Sequence, residues 1–424
     1  NSTRSFYVLF MIVPMLVFIS IQGVIRGYLS GAGFLSSSLY SNLILIVMSY
    51  VLSIVFSRIA YNYGIKINAL MHVDDIACVY GAIGATLGIS ASCFISLIFI
   101  LIMYLVHRGE LKALTDKSIP EKNGRNWKCS ADIIPSCLLF AQGGFLLFLD
   151  ECIYLSAANR IHPGENNIEN WGLYVGQCIS LSVILIFISG LPFLKSWYGI
   201  HYGIVKKDFK VVKSRITDLI HFESMLIFPM VLWVMILAGT ITNIVFGKTT
   251  DAAVNMIVLT VPIAMPGAFL IFHMFLLLHL KNNLLVAVNS VMGIVVHLVA
   301  VIIMTFAAGL GIHASMGAFF LSAIAIVILG IFEVKIMFDL KSDIFRIVLK
   351  PLLAAGISSV LCLLIDRLLV NLIGEVLTFI IAIIISYLAY MVLLIVLKAV
   401  NRYEVERMPF GDYFALLVDR IEKR

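Results

Sequence analysis

Hydrophobic positions run along this chain in long continuous blocks separated by short polar stretches. The blocks are too long for strands, and they do not alternate as the strands of a membrane barrel would. A bilayer core needs about 20 apolar residues per helix. On that measure eleven spans are predicted, over residues 6–29, 36–57, 78–107, 132–158, 171–198, 216–246, 252–280, 284–308, 312–338, 346–370 and 374–399. The fold class is therefore an all-α polytopic membrane protein. Longer polar connections are expected at 58–77, 108–130 and 199–215, and the tail 400–424 reads as an amphipathic segment on the membrane surface or the bundle.

Composition agrees. Of 424 residues, 61% are hydrophobic and 13% charged, against about 25% charged in an ordinary soluble domain, which excludes a soluble enzyme. The seven cysteines show no ligand spacing and read as small buried residues, with no metal site and no cofactor. A net charge of +6 does not call for nucleic acid. With the carboxy-terminal tail inside and the spans alternating, 24 of the 30 Lys and Arg residues fall on the inner side, as the positive-inside rule requires. The same count puts Asn1 outside with no leader before it, so the chain reads as the continuation of something longer.

An internal repeat fits that reading. Pro14 in the first span is matched by Pro262 in the seventh, Asn42 in the second by Asn289 in the eighth, and Gly84-Ala85 in the third by Gly317-Ala318 in the ninth. Residues 1–107 would then be the last three helices of an amino-terminal lobe, 108–130 an inter-lobe loop, 131–338 a complete six-helix lobe, 339–399 an extra pair, and 400–424 a tail. With three further helices the whole would have 14 spans, its two halves related about the membrane normal.

Several short motifs resemble those of one family. Arg26-Gly27-Tyr28-Leu29-Ser30-Gly31 resembles the RGYFQG element of the polysaccharide and lipid-linked-oligosaccharide flippases. That group includes the stage V sporulation protein B-like proteins and, more distantly, the lipid II flippase, within the multidrug/oligosaccharidyl-lipid/polysaccharide exporter superfamily. Tyr80 to Gly88, Leu149-Asp150, Trp171 to Gln177, Leu191-Pro192 and Met408-Pro409-Phe410-Gly411 follow in the family's order. Ser30 stands where the family has Gln, and Gln177 is nearest to the place of a cavity Arg and Glu in the lipid II flippase, so lipid II itself is not assigned. The resemblance implies a multi-pass protein of the bacterial cytoplasmic membrane, carboxy terminus inside. It implies movement of a polyprenyl-diphosphate-linked saccharide from inner to outer leaflet by alternating access, coupled to a proton or sodium gradient and without enzymatic chemistry. A monomer is expected, in contact with anionic lipids and with envelope glycosyltransferases. The alternative within the superfamily is a cation-coupled multidrug antiporter.

Ionisable and amide side chains inside spans are the candidate site, because burial there is costly. Arg26, with Gln22 one turn earlier, could grip phosphate bidentately or anchor at the inner interface. Gln142, Asp150 and Gln177 are further cavity candidates. Asp150, His273 and His297 are candidates for ion coupling or proton relay. Lys206, Lys207, Lys210, Lys213 and Arg215 read as a basic surface segment on anionic headgroups. Pro14, Pro192, Pro229, Pro262 and Pro266 are expected to kink or break their helices.

Overall fold

The computed structural model describes all residues except 1, 74–75, 117–125, 162–165, 191–198, 248–249, 340–342, 407–410 and 412–424. Leu191-Pro192 and Met408 to Phe410 therefore lie outside the described residues. Among the described residues eleven helices are long and apolar enough to cross a membrane, and no strand occurs. The chain is an all-α, multi-pass membrane protein. It forms two compact units, Asn1–Gly124 and Arg125–Arg424.

The first unit holds α1 (Ser2–Gly31), α2 (Leu35–Met71), α3 (Ile76–Val106) and the short α4 (Arg108–Asp116). α2 and α3 pack with their backbones in contact. A side-chain carbon on Gly84 would overlap the Phe56 carbonyl, one on Gly88 the Leu52 carbonyl, and one on Gly64 would stand 2.7 Å from the Ala77 Cα. The glycines of the Tyr80–Gly88 motif thus serve close approach of two helices, the usual use of small residues spaced by four in a membrane. Leu29, Leu97, Ile100 and Leu111 form the small core of this unit.

The second unit opens with α5 (Asn126–Ile161) and α6 (Asn167–Leu173), which runs through a π-turn at Tyr174–Ile179 into α7 (Ser180–Ser189). After a helical stretch over 199–205 come α8 (Phe209–Ile236), α9 (Ala238–Phe246), α10 (Asp251–Thr260), α11 (Ala264–His279), α12 (Asn283–Ile302) and α13 (His313–Phe338). α14 (Lys350–Ile373), α15 (Glu375–Val396) and α16 (Arg402–Val405) complete it. The main core gathers Tyr174, Ile227, Val231, Ile257, Cys362 and Leu394 with their neighbours.

Several expectations are corrected. The second span does not stop near 57. Apolar positions continue, Arg58 and Lys66 stay on its exposed side, and the helix ends where His72 takes a left-handed φ of 53° and its N–H bonds the Asn68 carbonyl. The 108–130 stretch is not simply a solvated linker, because α4 buries Leu111 against the first unit's core. The sixth span breaks at Leu237, before α9. Pro14 and Pro229 lie inside uninterrupted helices, whereas Pro262 sits in a 3₁₀ turn, Val261–Ile263, between α10 and α11. The cysteines are not uniformly buried: Cys93, Cys178 and Cys362 are, but Cys78, Cys137 and Cys152 are exposed, a placement an apolar thiol tolerates against lipid.

The basic segment divides between the end of one helical stretch and the start of the next. The 199–205 stretch ends at a turn where Lys207 has φ 56°, and the Asp208 carboxylate accepts from the Val211 N–H at 3.3 Å to cap α8. Lys210, Lys213 and Arg215 therefore ride on the first turns of a membrane span. Val212, Ile216 and Leu219, on its other face, are buried against Phe272 and Val334.

Candidate functional site

In the first unit, Arg26 is clasped by one side chain from each of α1, α2 and α3. Its Nη2 donates to Gln22 Oε1 at 2.6 Å, to Ser41 Oγ at 2.9 Å and to Ser96 Oγ at 2.9 Å, and its Nε donates to Ser41 Oγ at 3.1 Å. Ser96 Oγ also donates to the Ser41 carbonyl at 2.8 Å, and the Gln22 amide donates to the Cys93 carbonyl. Gln22, Ser41 and Ser96 are buried, while the guanidinium is half-buried. All these partners are neutral. Among the described residues no carboxylate pairs with Arg26, and its Nη1 makes no hydrogen bond. The Asn42 side chain, the sequence's match to Asn289, is exposed; its neighbour Ser41 is the residue that reaches inward.

In the second unit, Asp150 and His297 meet with neither side chain accessible to solvent. His297 Nε2 lies 2.9 Å from Asp150 Oδ1. Ser315 Oγ donates to Asp150 Oδ2, and the Tyr174 hydroxyl stands 3.2 Å from Ser315 Oγ. The ring of His297 packs against Phe319, centroids 4.3 Å apart, and its Nδ1 has no partner. α5, the π-turn, α12 and α13 each supply a member. Asp150 is thus a sealed carboxylate whose oxygens are both hydrogen-bonded.

A second carboxylate–histidine pair lies in the same unit. His273 Nε2 is 2.8 Å from Glu333 Oε2, and the Asn289 amide donates to the same oxygen at 3.0 Å. Gly330 makes room for the imidazole, since a side-chain carbon there would come within 2.8 Å of the ring. This cluster again takes one residue from each of three consecutive helices, α11, α12 and α13. His279 pairs with His201, Nε2 to Nδ1 at 3.1 Å, and takes no part in it.

Gln142 is half-buried on α5. Gln177 is half-buried in the π-turn, and its carbonyl oxygen has no partner. Lys206 lies over the Tyr202 ring at 5.8 Å, and Lys213 donates to the Asp339 carbonyl at 3.2 Å. Glu333, Ser315, Tyr174 and Ser96 were not singled out from sequence as site residues. Glu223, on α8, was also passed over: it is 1% exposed and neither oxygen has a hydrogen bond of ordinary geometry. Glu223 and Glu333 both lie inside predicted spans, so the rule that flagged Asp150 would have found them. Among the described residues no group of His, Cys, Asp and Glu could hold a metal ion.

Compared with known proteins, the chain matches no family model, no curated protein and no solved structure.

Proposed function

We propose that this protein moves a polyprenyl-diphosphate-linked saccharide across the cytoplasmic membrane by alternating access, without covalent chemistry. The observation that carries the reading is Arg26. A guanidinium within a membrane span ordinarily finds an acidic partner, because an uncompensated charge there is expensive. Arg26 has only neutral oxygens around it, which fix its position without cancelling its charge, and two N–H groups on Nη1 are left over. That is the electrostatics of an anion site, and a planar guanidinium suits a phosphate oxygen pair. Asp150–His297 supports the other half of the reading. A sealed pair that gains or loses one proton gives a driving gradient a residue to act on.

The cation antiporter alternative is less well supported, since an unpaired positive charge repels the cargo such a protein exports. The test is reconstitution in proteoliposomes with a fluorescent lipid-linked oligosaccharide, read by quenching of the label left in the outer leaflet. Faster exchange with the protein present, lost in Arg26→Ala, supports the proposal. No acceleration over protein-free vesicles overturns it.

A further inference from the structure

The second unit carries an open-sided cavity of about 490 Å³ whose wall is mostly apolar, a size typical of a small-molecule site. Phe269 and Phe272 of α11, Val327 and Ile331 of α13, and Ile347 and Val348 ahead of α14 supply the hydrocarbon lining. Thr217, His273 and Lys335 interrupt it. The buried His273 borders the cavity, and its Nδ1 has no hydrogen-bond partner. Lys335, also on the lining, is exposed and makes no ion pair among the described residues. Five residues separate Lys335 from Gly330, against which His273 packs, so the lysine lies about 7 Å further along α13. Nearby Lys213 is held by Asp339, with 3.9 Å between ammonium and carboxylate, and so offers less charge than Lys335.

We infer that this cavity is a binding site for an anionic glycerophospholipid. One acyl chain enters between Phe272 and Ile331, and the phosphate lies against Lys335. The assignment rests on the membrane character of the chain and on charge complementarity at the mouth. It is independent of the cargo proposed above, since Arg26 belongs to the other unit. A lipid without phosphate fills the hydrocarbon part equally well but leaves the lysine uncompensated, and a zwitterionic one brings a head-group ammonium that offsets part of the attraction.

The experiment is native mass spectrometry of the detergent-solubilised full chain, incubated with equal amounts of phosphatidylglycerol and phosphatidylcholine of the same acyl chains. Phosphatidylglycerol is expected to be retained about fivefold over phosphatidylcholine, the discrimination of one near-surface lysine. Lys335→Gln removes the preference while both lipids still bind. Ile331→Trp fills the cavity from a side chain that is already 53% exposed, and lowers retention of both. Equal retention in the unaltered protein, a preference that survives Lys335→Gln, or retention unmoved by Ile331→Trp each overturns the site. Stoichiometric displacement of bound phosphatidylglycerol by a long-chain polyprenyl phosphate overturns the choice of a phospholipid as occupant.

Discussion

The helix trios α1–α3 and α11–α13 are tied together in the same manner and carry opposite chemistry. In each, the second and third helices share the most extensive contact, the first packs on the third next, and the first touches the second least. In each, polar side chains from all three helices converge. The first trio brings Arg26, Ser41 and Ser96, and the second His273, Asn289 and Glu333. The charged member in the first is a cation among neutral acceptors; in the second it is a carboxylate beside an imidazole. The comparison teaches that a three-helix frame fixes where a buried polar group must go and leaves its sign open. A frame holding an unpaired cation suits an anionic ligand. One holding a carboxylate with a titratable donor suits a proton.

The largest effect is expected at Asp150, the sealed carboxylate paired with His297. Asp150→Leu removes the partner of a buried imidazole and leaves Ser315 without its acceptor, a loss of about 3–5 kcal/mol. A thermal-melt series in detergent should show the steepest fall of any single change discussed here. Asp150→Asn keeps an acceptor for Ser315 and should fold, while transport loses its response to an imposed pH gradient. If Asp150→Asn transports with the gradient dependence of the unaltered protein, the proton role belongs elsewhere, with His273–Glu333 the next pair to test.

Arg26→Ala follows. Charge-assisted hydrogen bonds contribute about 1.5–3 kcal/mol each at most, so a lost grip on phosphate should slow flipping by roughly tenfold to a hundredfold. Stability should change less, because Ser41 and Ser96 already bond each other. Arg26→Lys sharpens the comparison: it keeps the charge and loses the fork, and should recover only part of the rate. Full recovery would mean that the site needs charge alone.

Gly330→Ala probes the frame of the second trio. The added carbon would press on the His273 ring, and overpacking of that kind costs about 1–3 kcal/mol. Ser96→Ala in the first trio removes one of four hydrogen bonds to Arg26 and should cost about 1 kcal/mol. Equal melting shifts for the two variants would mean that Gly330 is no more closely packed against its cluster than Ser96 is bonded to its own.

The spans were legible because each is an apolar run of membrane length, a local signal that tertiary contacts did not override. Gln22 and Arg26 were legible as neighbours for the same reason, being one helical turn apart. Partners on different helices were not. His297 and Asp150 are separated by 147 positions, and Ser315 and Tyr174 by 141; no periodicity links such residues. Pro14 and Pro229 misled because a membrane helix carries a proline without a break when neighbours and local geometry satisfy the freed carbonyl. The long α2 misled because two charges on its exposed side looked like a loop.

The smallest effect concerns a third carboxylate–histidine pair, outside both trios, whose carboxylate lies beyond the last span. The Glu404 carboxylate on α16 accepts from the Asn401 backbone N–H at 2.8 Å and from Arg346 at 3.3 Å, and lies 2.9 Å from His221 Nδ1. Burial pushes its pKa up, but the hydrogen bonds from His221 and the Asn401 backbone, with the charges of His221 and Arg346, outweigh that and hold it below the usual carboxylate value. A carboxylate depressed on folding contributes stability that is fully present above its unfolded pKa and fades as pH falls through the lower folded one. Glu404→Gln should therefore lower the melting temperature at neutral pH, by a shift corresponding to about 1 kcal/mol. The difference from the unaltered protein should narrow as the buffer is taken below the ordinary carboxylate range. Unlike Arg26, this group is charge-compensated on every side, so it should bind no ion and its loss should leave flipping rates unchanged. A changed transport rate in Glu404→Gln at neutral pH would show that the carboxy-terminal turn does more than hold α8 to the start of α14.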